Sequence, residues 1–264
     1  YEMQRSLVGS EMCIRDSVLV ENNSEAPETF AYYETLSERV AAASEGKGIA
    51  RVAYWPGEFN YSQIINFGVE HAKGDYLLLL NNDTEVISPD FIEEMMGYLQ
   101  RPDAGVVGAK LYFADHLVQH AGILVGVRGA LAHANQDFSA KREGYLARAV
   151  RPGNFSAVTG ACQMVRRDVF EQVGGYNEEF AVGFNDADFC LRVREAGYRT
   201  IFTPYAELYH YEFTSRGREE ANEEKLRRWK REQALFTQRW PEFFLTGDPW
   251  LGPNLSSESE YFSF

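Results

Sequence analysis

The chain has 264 residues, 45% of them hydrophobic and 14% aromatic, which is enough apolar surface for the core of one large or two small domains. Its 39 acidic residues against 26 basic ones leave a formal net charge of −13, a field that repels phosphate backbones and argues against nucleic acid as a partner. Cys13, Cys162 and Cys190 have no CxxC spacing and fit neither a disulfide framework nor a structural zinc site, and no apolar run reaches the roughly 18 residues needed to span a bilayer. The expected location is the cytoplasm, with peripheral attachment to the inner membrane face compatible with all of this.

In chain order, residues 1–17 ("YEMQRSLVGSEMCIRDS") carry no sustained apolar period and read as a non-native tail of the adapter-scar type, or else as a disordered terminus. "VLVEN" from Val18 reads as a short strand. Residues 27–44 read as a helix behind Pro27, with Phe30, Tyr33, Val40 and Ala41 at helical spacing. "IARVAYW" (49–55) alternates as a strand, and 60–74 is a helix capped by Asn60 and stopped at Gly74. "DYLLLL" (75–80) is too short for an isolated helix and suits a central parallel strand buried on both faces. Ser88 as N-cap and Pro89 in the first turn then open a helix through 100. This alternation predicts an α/β fold with a mostly parallel sheet flanked by helices, whose ligands sit beyond the carboxyl ends of the strands.

Residues 113–155 are rich in Gly, Ala, His and Arg and have weak periodicity, as in a longer loop-bearing segment. After them 155–180 reads as a strand and a short helix ended by Gly174 and Gly175. Residues 185–204 read as an acidic helix start, a helix stopped by Gly197 and a strand, with a further strand at 206–212. Leu226, Trp229, Phe236 and Trp240 trace the apolar stripe of a charged surface helix, and 241–264 reads as an extended tail. The resulting domain plan is a tail (1–17), a catalytic domain (18–240) with halves 18–112 and 113–240, and a C-terminal tail (241–264).

Three polar clusters fall at strand ends or helix starts: Asn81–Glu85, Asn185–Asp188, and Tyr209–Glu212 around His210. Each has an ordinary alternative, since Asn and Asp make turns and caps and a lone strand histidine is commonly structural. Asp83 and His210 together offer oxygen and nitrogen ligands suited to Mn2+ or Mg2+.

Taken together, "VLVENNSEAPETF", "FNYSQIINFGVEHAKGDYLLLLNNDTEV", "SAVTGACQMVRRDVFEQVGGYNEEF", "FNDADFCLRVREAGYRTIFTPYAELYH" and "SRG" resemble the inverting family 2 glycosyltransferases of the GT-A fold, in particular the rhamnosyltransferase-like enzymes of cell-surface polysaccharide synthesis. The resemblance runs from about Val18 to Gly217. It implies a Rossmann-like nucleotide-binding half followed by an acceptor-binding half. It also implies a nucleotide-diphosphate sugar as donor, a glycan or glycolipid as acceptor, and Mn2+ or Mg2+ as cofactor. Asp83 stands in the family's DxD-type motif as metal ligand, with Asn81 in place of the first aspartate near the donor ribose and Asn82 beside it. Glu21 stands where an aspartate faces the base, and His210 takes the late metal-ligand position. Asp186 is the general base of an ED-type motif whose glutamate is replaced by Asn185, on the acceptor side. Arg216 is placed to close over the phosphates, and Gly160 to let the acceptor approach the backbone.

The family's first strand has no counterpart before Val18, so the nucleotide half is expected to lack it. That makes a non-catalytic, truncated nucleotide-sugar-binding module the alternative to an active transferase. Asp188 is expected to serve the helix start rather than the chemistry.

Overall fold

The computed structural model describes residues 16–211 and 222–264. The chain opens with β1 (Asp16–Glu21), α1 (Pro27–Ala43) and β2 (Ile49–Tyr54). β1 and β2 pair in parallel, in register from Asp16 with Ile49 to Glu21 with Tyr54, as a separate two-stranded sheet. The strand thus takes in Asp16 and Ser17, and Asp16 accepts hydrogen bonds from the Arg51 guanidinium and the Lys73 amide. Its core is small: Leu36, Val40 and Ala50 form its buried aliphatic cluster.

Next come α2 (Tyr61–His71), β3 (Tyr76–Leu80), β4 (Thr84–Val86), α3 (Phe91–Leu99) and β5 (Ala104–Tyr112). Asn60 caps α2 as the sequence predicts, its side-chain oxygen accepting from the Gln63 amide at 3.1 Å. The helix ends at His71 rather than Gly74. There the Arg167 guanidinium takes up the carbonyls of Ala72 (2.9 Å) and Gly74 (2.8 Å), groups that a helix end otherwise leaves to water. α3 begins two residues later than expected because Ser88 is used elsewhere, its hydroxyl accepting from the Glu207 amide.

The second half contributes β6 (Val118–His120), β7 (Ile123–Val125), β8 (Leu131–His133), β9 (Gly153–Asn154), β10 (Cys162–Arg166), α4 (Arg167–Gln172), α5 (Asn185–Glu195), β11 (Arg199–His210), α6 (Glu223–Arg239) and α7 (Pro241–Thr246). The large sheet runs β3-β10-β5-β11-β4, with β6 on β5 and β9 on β11. Only β5 and β11 pair in parallel in this sheet; β10 enters antiparallel between β3 and β5. The α/β class and the flanking helices therefore hold, but the sheet is mixed, and β3 lies at its edge instead of its centre. Its burial alternates accordingly, with Leu77 and Leu79 buried. The excursion through 113–161 returns to the end of the sheet where β5 leaves it, so β10 runs antiparallel to β5 with no crossover.

β5 is buried along its whole length because both faces are covered. Val107, Ala109 and Leu111 meet Phe91, Met95 and Leu99 of α3, while Val106 and Tyr112 join the cluster that holds Phe189 and Leu191 of α5. The spacing of Phe91, Met95 and Leu99 puts one helix stripe on the sheet, and each such side chain contributes about 1.5–3 kcal/mol on burial. The two strands expected at 199–204 and 206–212 are one strand, β11, irregular between Phe202 and Glu207.

α6 packs Phe236 into the main cluster, and its Glu232 carboxylate accepts from the amides of Ala181 (3.1 Å) and Gly183 (2.8 Å), fixing the loop that leads into α5. The segment after α7 is irregular but anchored. Asp248 accepts from the Val125 amide at 2.7 Å, Glu260 pairs with Arg128, and Phe262 is buried against Tyr145. Among the described residues no helix is long and apolar enough to cross a membrane.

Candidate active site

β4 and the end of β11 pair antiparallel, Thr84 opposite His210 and Glu85 opposite Tyr209, and the Tyr211 amide donates to the Asp83 carbonyl at 2.8 Å. This ladder brings two segments far apart in sequence to one spot. Asp83 Oδ1 lies 3.2 Å from His210 Nε2. The two are not aligned as a hydrogen bond, and Asp83 Oδ1 is buried with no hydrogen-bond partner among the described residues.

The ring orientation of His210 follows from its neighbours. Gln119 donates its amide NH2 to the His210 carbonyl (3.3 Å), so its Oε1, 2.7 Å from His210 Nδ1, must accept. The ring proton is then on Nδ1, and Nε2 presents a lone pair. Asn81 lies beside the ring, its side-chain amide 3.4 Å from His210 Nε2 and 3.0 Å from the Tyr61 hydroxyl. A buried carboxylate oxygen and an imidazole lone pair side by side fit a divalent cation, with Gln119 fixing the tautomer as outer-shell partners of metal-bound histidines do. Among the described residues no group of three or more His, Cys, Asp or Glu converges to hold a metal. Further ligands would therefore be water or substrate oxygens, the usual situation for Mg2+ and Mn2+ on phosphates.

Asp186 sits at the start of α5, with Oδ1 accepting from the Ala187 amide (2.8 Å) and Oδ2 from the Gly160 amide (3.0 Å). The Gly160 carbonyl in turn accepts from the Tyr61 hydroxyl (3.1 Å), so Tyr61 links the turn under Asp186 to Asn81 beside His210. Asp83, Asn81, His210, Gly160 and Asp186 therefore form one connected site. Asn82 is exposed next to them on the β3–β4 turn.

Gly160, Asn185 and Glu21 are each held by contacts within the chain. A Cβ on Gly160 would meet the hydroxyls of Tyr176 at 3.1 Å and Tyr61 at 3.3 Å, so its small size serves packing, and what it offers the site is its amide. Asn185 is buried, its NH2 donating to the Val182 carbonyl (3.0 Å) and its oxygen accepting from the Asp186 amide (2.7 Å), so its side chain shapes the turn that presents Asp186. Glu21 is buried at the end of β1 and accepts from the Ser24 amide and hydroxyl and from the Tyr33 hydroxyl. Burial opposes its charge, yet these hydrogen bonds outweigh it and hold its carboxyl below the usual range. Arg216 and Glu212 lie outside the described residues.

Asp188 keeps the structural role expected of it, though by ion pairing. It is fully buried, accepts from Arg192 Nε (2.8 Å) and Trp240 Nε1 (3.1 Å), and forms an ion pair with Arg239 Nε (2.9 Å), joining α5 to α6. Sequence reasoning missed Gln119 and Tyr61, which orient the site, and the buried His120 with its neighbour His133. The composition of 113–155 singled out histidines, but nothing in the pattern paired them.

A family model described as glycosyltransferase-like family 2 matches residues 9–233. The O-antigen biosynthesis protein RfbC of Myxococcus xanthus is 35% identical over 90% of this chain and 18% of its own length. An uncharacterized protein of Sinorhizobium fredii, y4gI, is 43% identical over 77% of this chain and 22% of its own. This chain thus spans about a fifth of each. A Mycobacterium tuberculosis N-acetylglucosaminyl-diphospho-decaprenol L-rhamnosyltransferase is 28% identical over 56% of this chain and 50% of its own. The fold is shared with GalNAc-T7 bound to UDP, GalNAc and Mn2+ (TM-score 0.59, 13% identity, 89% of this chain and 50% of that one). It is also shared with a Pyrobaculum calidifontis mannosyltransferase bound to GDP-Man and Mn2+ (TM-score 0.50, 14% identity, 80% and 60%).

Proposed function

The chain belongs to glycosyltransferase-like family 2, and on that premise we propose that it carries out metal-dependent, inverting transfer of a sugar from a nucleotide-diphosphate sugar to a glycan or glycolipid acceptor of cell-surface polysaccharide synthesis. The observation that carries this reading is the unpaired Asp83 Oδ1 beside the His210 Nε2 lone pair, 3.2 Å away, on the same connected site as Asp186. The names of the rhamnosyltransferase and of the O-antigen protein support the acceptor class.

In this mechanism Asp83 and His210 hold Mn2+ or Mg2+, which when bound supplies Lewis-acid stabilisation of the leaving diphosphate. Asn81 lies beside that pair and faces the donor ribose. Glu21 shapes the turn that receives the nucleotide base, together with Asn22, whose NH2 donates to the Gly57 carbonyl at 3.0 Å. Asp186 accepts the proton of the acceptor hydroxyl as its oxygen attacks the anomeric carbon and the bond from that carbon to the diphosphate oxygen breaks. Its two backbone hydrogen bonds use one lone pair on each oxygen and leave the others for the acceptor.

The test is release of nucleoside diphosphate from a panel of nucleotide sugars with Mn2+. Asp186→Asn is expected to lower it about 10²–10⁴-fold while donor binding by calorimetry persists, and a chelator is expected to abolish it. Release that survives both the substitution and the chelator would sink the proposal and favour metal-free hydrolysis by paired carboxylates.

A further inference from the structure

The turn that holds Asp186 also holds His120, one of a pair of histidines to which the proposed reaction assigns nothing. His120, at the end of β6, is fully buried. Its Nε2 lies 3.3 Å from the Gly122 amide and 3.4 Å from the Thr159 amide, and both amides donate. Nε2 therefore carries the lone pair and the ring proton is on Nδ1. That nitrogen is 3.0 Å from Nδ1 of His133, which must accept, so the proton of His133 is on Nε2. Charging either ring would set one N–H against another, at the contact between the rings or at the two amides. Burial, which depresses the pKa of both rings, acts in the same direction.

His133 ends β8, opposite Ile123 of β7. Its ring is half-buried, and Nε2 has no hydrogen-bond partner among the described residues, yet it is not sealed from solvent. Thr159 donates its amide to His120, and the next residue, Gly160, donates its own to Asp186. Consecutive amides of one turn thus fix the histidine pair and the proposed base relative to each other. The charge of Asp186 is felt at the His133 ring, although no hydrogen bond joins them. A neutral donor beside a carboxylate suits an uncharged oxygen, because the carboxylate repels a phosphate.

We infer that His133 donates its Nε2–H to a hydroxyl or ring oxygen of the acceptor sugar beside Asp186, and that His120 is the positioning residue that locks this tautomer. The inference rests on Asp186 being the base of the transfer reaction. Long-range 1H–15N spectra of the chain are expected to show His120 protonated at Nδ1 and His133 at Nε2. N-acetylglucosamine, titrated with Mg2+ and a nucleoside diphosphate present, is expected to shift His133 Nε2 and leave His120 Nε2 in place. In transfer to a synthetic N-acetylglucosaminyl diphospholipid, His133→Leu is expected to raise the acceptor KM about tenfold, the worth of one neutral hydrogen bond, with kcat far less affected. His133→Gln, which keeps an N–H near the Nε2 position, restores it. A His133 proton on Nδ1, an unmoved Nε2 resonance, or a Gln variant as impaired as Leu overturns the inference. Absence of transfer in the wild type on every donor tried counts against the transferase reading instead, and the NMR titration still decides the role of His133.

Discussion

The layer formed by β1, α1 and β2 and the seven-stranded body are built to different depths. In the first, three buried side chains make the core, and β1 and β2 pair only with each other among the described residues. In the second, β5 is covered on both faces and polar anchors such as Asp188 and Glu232 are buried outright. The groups proposed to handle metal and acceptor all stand on the second, whereas the groups proposed for the nucleotide base stand on the first. Rigid placement of the reacting atoms matters more than rigid placement of a distant handle, and the depth of packing follows that demand.

The comparison can be broken most forcefully at Asp188. Asp188→Ala leaves the Trp240 Nε1–H without a partner and the half-buried Arg192 without its counter-charge, and is expected to cost about 3–5 kcal/mol in urea unfolding, weakening the body as a whole. A loss below about 1 kcal/mol would show that this anchor contributes little. Leu36→Ala removes a residue of the three-member core and is expected to cost about 2 kcal/mol, the low end for such changes. Hydrogen exchange should then speed up in β1, α1 and β2 while β5 amides keep their protection. Asn60→Ala, which deletes the α2 cap, is expected to cost about 1 kcal/mol.

The smallest effect separates the two regions by pH. The folded pKa values of His120 and His133 lie below the ordinary histidine value of 6.5. The unfolded chain therefore binds their protons first, and the body loses stability as pH falls below about 6.5. Glu21 is depressed from 4.5, so its contribution to the first layer is intact at pH 6 and is lost only as pH falls below its unfolded value toward its folded one. Exchange measured at pH 6 and again near 4 should loosen the β6–β8 region first and the β1–α1 turn second. The reverse order would contradict these assignments.

What the sequence disclosed about the fold was local. Pro27, Asn60, Gly174, Gly175 and Gly197 mark helix ends because capping and left-handed backbone are decided within a few residues, and all three glycines have φ between +68° and +95°. The place of β3 in the sheet was not legible, since a short apolar run reads alike at centre and edge until its partner, β10, is known. Within the site, Asp83, His210 and Asp186 stand out by residue type and motif. Gln119 and Tyr61 do not, because a hydrogen bond that sets a ring tautomer leaves no trace in spacing. Asn185 and Gly160 stand out by motif, but the hydrogen bonds by which each supports Asp186 are visible only in the fold.

The ladder between β4 and β11 acts as a length gauge. Side chains alternate faces along a strand, so inserting or deleting one residue near 208–210 would turn the imidazole away and bring a tyrosine to face Asp83. Insertions and deletions should therefore be purged from this short hairpin-like seam across evolutionary time. Residues 140–152, whose backbone hydrogen bonds are local, carry no such cross-strand pairing and are freer to change length.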